Sequence, residues 1–188
     1  MGSAIYDACV LYPASIRSFL MWIGVNDLVR ARWTERILDE CFNNLVSNRP
    51  DLELADLNRT RTLMCEAIPD CLVTGFESRI DELSLPDPKD RHVLAAAIEA
   101  KADYIVTFNL RDFPKSQLQE QGIEAIHPDD FVLSLVERSP SGIVRCVEDE
   151  ASIRINPNRS VADVLDSLER RGLTRSAGEI RSLIDEVD

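Results

Sequence analysis

Short apolar β-forming runs, each separated from the next by helical sequence, constrain this chain more than any other feature. Ala4 to Leu11 reads as a buried strand in which Ile5, Tyr6, Cys9, Val10 and Leu11 surround one acid, Asp7. Tyr104-Ile105-Val106-Thr107-Phe108 is a second β run, and Ile123 to Ile126 is a weaker third. Strands that are apolar on both faces and alternate with helices imply a mostly parallel sheet covered on both sides.

The helices between them carry readable starts and stops. Pro13 opens one with Ile16, Phe19, Leu20 and Ile23 on a stripe, and Gly24 ends it. Thr34 caps the next, where Ile37, Leu38, Cys41, Phe42 and Leu45 form the buried face. Pro50-Asp51 leads into a third, which Pro69 stops. Cys71 to Gly75 reads as a short strand and turn, and Ser78 to Leu83 as a brief helix. Leu85-Pro86-Asp87-Pro88-Lys89-Asp90 is a stiff loop feeding an alanine-rich helix, Arg91 to Lys101. A helix from Pro128 to about Glu137 closes the main unit. Past Ser139-Pro140-Ser141-Gly142 no strand is expected, Asn156-Pro157-Asn158 breaks the chain again, and two helices remain, Ser160 to Arg171 and Thr174 to Val187.

A chain of 188 residues holds one compact domain and an appendage. The division expected is a main domain over 1–137 and a helical extension over 138–188. No apolar run approaches the length of a membrane span, and the first residues lack the layout of a secretory signal. Five scattered cysteines fit a reduced, cytoplasmic protein better than a disulfide framework or a zinc knuckle. The net charge of −12 argues against passive adhesion to nucleic acid or anionic lipid, so any handling of phosphate needs a local basic patch or bound cations.

Sites in parallel α/β sheets form where strands end. Asp7 closes the first strand, Asp112 lies just past the second, Asp90 opens the alanine-rich helix, and Glu40 borders the apolar stripe of the Thr34 helix. Singly, each reads as a cap, a turn former or a solvated acid, and Glu35 and Asp39 compete with Glu40 for the same role. Together at one sheet edge they repel unless a divalent cation neutralises them. An oxygen-only set suits magnesium, or manganese. His92 and His127 lack metal-ligand spacing and read as surface or partly packed residues. There is no Gly-x-Ser-x-Gly elbow and no Gly-rich phosphate loop. Arg30, Arg32 and Arg36, with Arg17 and Arg111, are candidates for gripping phosphate.

Tyr6-Asp7-Ala8-Cys9-Val10-Leu11-Tyr12-Pro13, Ile37-Leu38-Asp39-Glu40, Leu85 to Ala97, and Tyr104 to Pro114 occur in the order seen in one family. This stretch, about residues 4 to 137, resembles the PIN-domain ribonucleases, particularly the VapC-like toxins of bacterial toxin–antitoxin pairs. The resemblance implies a PIN-like parallel sheet flanked by helices on both faces, with a small C-terminal helical extension outside the shared core. It also implies a metal-dependent endoribonuclease using Asp7, Glu40, Asp90 and Asp112 as catalytic and metal-binding acids. Magnesium or manganese would be the cofactor, and Thr107, Asn109 and Asp87 would support the site. RNA would be held by Arg30, Arg32 and Arg36. A cognate antitoxin and a homodimer are the expected partners.

Two other readings compete. One is a PIN-like module that binds RNA or protein without turnover. The other is a haloacid-dehalogenase-like hydrolase with Asp7 as covalent nucleophile, although that family places a second aspartate where this chain has Cys9.

Overall fold

The computed structural model describes residues 2–153 and 159–186. Four strands form one sheet in the order β2-β1-β3-β4: β1 (Ser3–Tyr6), β2 (Arg30–Arg32), β3 (Tyr104–Val106) and β4 (Glu124–Ile126). All neighbours are parallel, with Ala4 opposite both Ala31 and Tyr104, and Ile105 opposite Ala125. Successive side chains of a strand face opposite sides of the sheet, and all four residues of β1 are buried, so helices cover both faces. The α/β expectation holds.

The strand expected over Ala4 to Leu11 is shorter than its apolar run. It ends at Tyr6, and Ala8–Leu11 forms a single helical turn, α1. Asp7 supplies the reason, because its Oδ1 accepts from Ala8 N at 2.7 Å and caps the turn. β2 escaped the sequence reading altogether. Arg30-Ala31-Arg32 buries only Ala31, and a three-residue edge strand with one apolar position leaves almost no period to detect. The strand expected at Cys71 to Gly75 is a bridge, in which Trp33 N and Val73 N bond to Cys71 O and Trp33 O.

α2 (Ala14–Val25), α3 (Glu35–Asn48), α4 (Leu54–Ala67), α5 (Arg91–Glu99) and, past the single turn α6 (Lys115–Leu118), α7 (Pro128–Arg138) follow; apart from α6, each starts close to where its sequence implied. Thr34 Oγ1 accepts from Ile37 N at 3.0 Å and begins α3 as its sequence implied. Tyr6 sits at the centre of the core, stacked on Trp33 and edge-on to Phe131 of α7, with ring centroids 6.4 and 6.3 Å away. Burial drives its hydroxyl far above the usual tyrosine range. The small side chains of α5 let that helix pack on β1 and β3.

The extension holds three described helices, α8 (Pro140–Ile153), α9 (Val161–Glu169) and α10 (Thr174–Asp185), where two were expected. Ser-Pro-Ser-Gly resembles a linker, yet Pro140 occupies the first turn, where a missing N–H costs nothing, and Ile143 N bonds to Ser139 O. The break expected at Asn156-Pro157-Asn158, and Val187, lie outside the described residues. Ser160 and Asp163 begin α9 with reciprocal capping bonds of 3.1 and 2.9 Å. Gly172 turns the chain into α10 with a φ of 95°, a conformation that suits a residue without Cβ. α8 and α9 pack on α2, and α10 packs on α7. Asp129 of α7 fastens α10 by accepting from Ser176 N at 2.8 Å and Ser176 Oγ at 2.7 Å through one oxygen, and from Arg175 N through the other. No described helix is long and apolar enough to cross a membrane.

Candidate active site

In a parallel sheet every strand points its carboxyl end the same way, so β1, β3 and β4 deliver Asp7, Thr107 and His127 to one edge. A cavity of about 590 Å³ opens there, lined by Asp7, Glu40, Asp87, Asp90, Lys89 and Asn109, among others. Four elements contribute acids to it: the end of β1, α3, the proline-stiffened loop, and the turn that starts α5. Asp112 does not line this cavity, but its charge reaches Asp90.

Asp7 is 6% exposed and fully engaged. Its Oδ2 accepts from Thr107 Oγ1 at 2.7 Å and from the Cys9 thiol at 3.1 Å. Cys9 Sγ in turn accepts from Phe108 N, and Thr107 Oγ1 accepts from Asn109 N. Burial, then the Asp7 charge, pushes the Cys9 thiol up to about 12, so it stays protonated and keeps donating. Sequence reasoning treated Cys9 as a buried hydrophobe; the α1 turn brings its thiol back onto the carboxylate two residues earlier.

Asp90 reports the field of the pocket. Burial raises its carboxyl to about 6, reinforced by the charges of Asp7, Asp112 and Asp87, while His92 pulls the other way. Asp87 also caps the turn into α5 by accepting from Lys89 N at 2.8 Å.

Glu40 is the acid of α3 that faces the cavity, with its Oε1 3.5 Å from Arg36 Nε and 3.0 Å from His92 Nε2. Glu35 and Asp39 both pair with Arg61 of α4 instead. His92 was expected at or near the surface, but its side chain is fully buried, because α5 turns it inward under Glu40.

The arginines do not stay together. Arg36 lies beside Glu40, but Arg30 and Arg32 line a different cavity on the β2 edge, with Asp27 and Asp70. Arg30 is level with Ser3, the opposite end of β1 from Asp7. Arg17 donates to Leu11 O at 2.6 Å and Tyr12 O at 3.3 Å, which commits it to closing α1. Arg111 is exposed, and no side-chain partner is seen for it among the described residues.

Among the described residues, no group of three or more His, Cys, Asp or Glu side chains could hold a metal ion by itself. The chemistry of the pocket nonetheless fits a hard cation. Its charged donors are carboxylate oxygens, and burial together with their mutual repulsion raises Asp90 to about 6. Magnesium keeps several of its waters and needs only one or two carboxylates.

Residues 3–111 match the PIN domain family, and residues 128–182 match a family described as the VapC50 C-terminal domain. A curated Mycobacterium tuberculosis protein named "Putative ribonuclease VapC50" is 39% identical over 80 residues, covering 43% of this chain and 47% of that protein. The match thus spans about half the length of that relative. No solved structure matches the chain.

Proposed function

Because the chain belongs to the PIN-domain family, we propose that it is a metal-dependent endoribonuclease that hydrolyses RNA phosphodiester bonds, and the toxin of a VapBC-type toxin–antitoxin pair. The observation that carries this reading is the gathering of Asp7, Glu40, Asp87 and Asp90 into one cavity, with Asp90 raised to about 6 by burial and by its acidic neighbours.

Asp7, Asp90 and Asp112 would hold the ion, with Glu40 binding a second ion or orienting the attacking water. When bound, magnesium or manganese supplies a water of lowered pKa and positive charge opposite the pentacoordinate phosphate. Thr107 and Cys9 fix the Asp7 carboxylate before substrate arrives, and Asn109 is fixed through Thr107. Arg36 and His92 hold Glu40 at the cavity wall. No side chain of the pocket needs to act as a covalent nucleophile. Arg36 also lies close enough to the acids to meet the substrate strand, while Arg30 and Arg32 would touch RNA only well away from the scissile bond.

The reading includes a cytoplasmic setting, which five free cysteines support. It also includes a division at residue 137 into nuclease domain and extension, a homodimer, and an antitoxin whose basic segment complements a protein of net charge −12.

The test is incubation of the purified chain with single-stranded RNA in magnesium, in chelator, and as the Asp7→Asn variant. Cleavage is expected only for the unaltered chain with the metal present, while the variant remains folded, with a cooperative unfolding transition. Full activity of Asp7→Asn in magnesium would overturn the assignment.

A further inference from the structure

The extension reaches the active-site edge. Phe108 follows Thr107 directly, and its ring stands edge-on to His127 at 5.1 Å. A Cβ placed on Gly172, in the turn between α9 and α10, would lie 4.0 Å from Phe108 Cε1, which is ordinary contact. The dipeptide before that glycine is Arg170-Arg171. The Asp129 caps on Ser176 and Arg175 hold the turn to α7, whose first residues follow β4 at the same edge. So Gly172, the residue after Arg170-Arg171, sits against the Phe108 ring at the edge of the sheet on which the acidic cavity opens.

These two arginines differ from the other described arginines that follow α7. Arg145, Arg159, Arg175 and Arg181 each form an ion pair with an acid. Arg170 and Arg171 are exposed, and neither makes an ion pair or side-chain hydrogen bond among the described residues, although Arg170 is near enough to Asp163 to lower its pKa. A phosphate strand approaching the acidic cavity meets a repulsive field unless cations flank it. Arg17 is committed to helix carbonyls, and Arg30 and Arg32 lie on the β2 edge. The cations on this edge of the sheet then include Arg36, Lys89 of the cavity wall, Arg91 beside Asp90, Arg111 of the Asp112 turn, and Arg170 with Arg171.

We infer that the α9–α10 turn is a phosphate-binding lip of the active site, with Arg170 and Arg171 gripping the RNA backbone beside the scissile bond. The C-terminal extension is then part of the substrate site. This rests on the nuclease reading for the identity of the polymer, but binding is measured separately from cleavage.

The experiment compares Asp7→Asn with Asp7→Asn carrying Arg170→Glu and Arg171→Glu, using fluorescence anisotropy of a single-stranded RNA in magnesium. Affinity is expected to fall about tenfold or more, as for lost charge-assisted contacts. The log–log salt slope should shrink by about 0.7 for each phosphate contact removed. A control, Arg59→Glu with Arg145→Glu, makes the same change in net charge on α4 and α8 and should leave binding nearly intact. In the otherwise unaltered chain, the Arg170/Arg171 pair should raise KM and spare kcat. Equal loss in the control, no loss in the Arg170/Arg171 variant, or no RNA binding by Asp7→Asn overturns the lip. If the unaltered chain binds RNA through Arg170 and Arg171 but never cleaves it, the nuclease reading fails and the lip stands.

Discussion

Thr107 Oγ1 donates to Asp7 Oδ2 at 2.7 Å, tying together the carboxyl ends of two adjacent strands that are 100 residues apart in the chain. The same hydroxyl accepts from Asn109 N at 3.0 Å, so one oxygen sets both the acid of β1 and the loop after β3. Thr107→Val keeps the shape and removes these bonds. A buried carboxylate that loses a donor costs about 1–3 kcal/mol, and kcat should fall about tenfold or more for the same reason. Chemical denaturation and single-turnover cleavage measure the two effects, and Thr107→Ser should restore both. Undiminished cleavage by the valine variant would remove Thr107 from the site's machinery.

Asp90 gives the pocket a pH signature. Its carboxyl is ionised in the unfolded chain near 3.8 but only at about 6 in the folded protein. The folded state therefore binds more protons between these values, and metal-free stability falls as pH rises through that window. Because the group is partly solvated, the effect is damped by solvent screening. Asp90→Asn removes the penalty: in chelator at pH 7 its melting temperature should exceed that of the unaltered chain, and the gap should close toward pH 4. The same variant should lose RNA cleavage. A lower melting temperature at pH 7 would mean that the acids are not crowded as described.

Most of this arrangement was legible before the fold was known, because it rests on local chemistry. Thr34, Pro13 and the alanine run at Ala95 to Ala97 carry their structural meaning in their immediate neighbours. Asp7 was legible because an acid in an apolar run is expensive unless it is satisfied. What stayed hidden depends mainly on contacts distant in sequence. Cys9 meets Asp7 through the unexpected α1 turn, and β3 brings Thr107 and Phe108 N against its sulfur. Arg30 and Arg36 look like neighbours in the sequence, but β2 and α3 carry them to different places. Glu40 stood level with Glu35 and Asp39 until α4 placed Arg61 against the other two.

The attachment of the extension is concentrated in Asp129. Both of its oxygens accept bonds at the start of α10, and the residue is 6% exposed. Asp129→Ala strands buried donors at Ser176 and should destabilise the chain by about 1–3 kcal/mol. The loss should appear first as faster proteolysis after Arg171 or Arg175, before the sheet itself unfolds. Uniform protection of the extension in this variant would show that α10 is held by its apolar face alone.

His92 decides how firmly Glu40 is held. Its imidazole is fully buried, neither ring nitrogen has a hydrogen-bond partner of good geometry among the described residues, and Nε2 lies 3.0 Å from Glu40 Oε1 as an electrostatic contact. Burying a polar ring with both nitrogens short of a hydrogen bond is costly, so it persists against an apolar alternative only where the contact with Glu40 matters. His92→Leu fills similar space and relieves that cost, and stability should change by less than about 1.5 kcal/mol. Glu40, freed from its inner anchor and left with only the exposed Arg36, should hold the attacking water less well. The expected outcome is a drop in kcat of about tenfold with KM unchanged, the pattern of a contact used in the transition state and not in strand binding. His92→Gln keeps a donor at the same depth and should recover part of the rate. If KM rises and kcat is untouched, Glu40 serves the substrate strand and not the water.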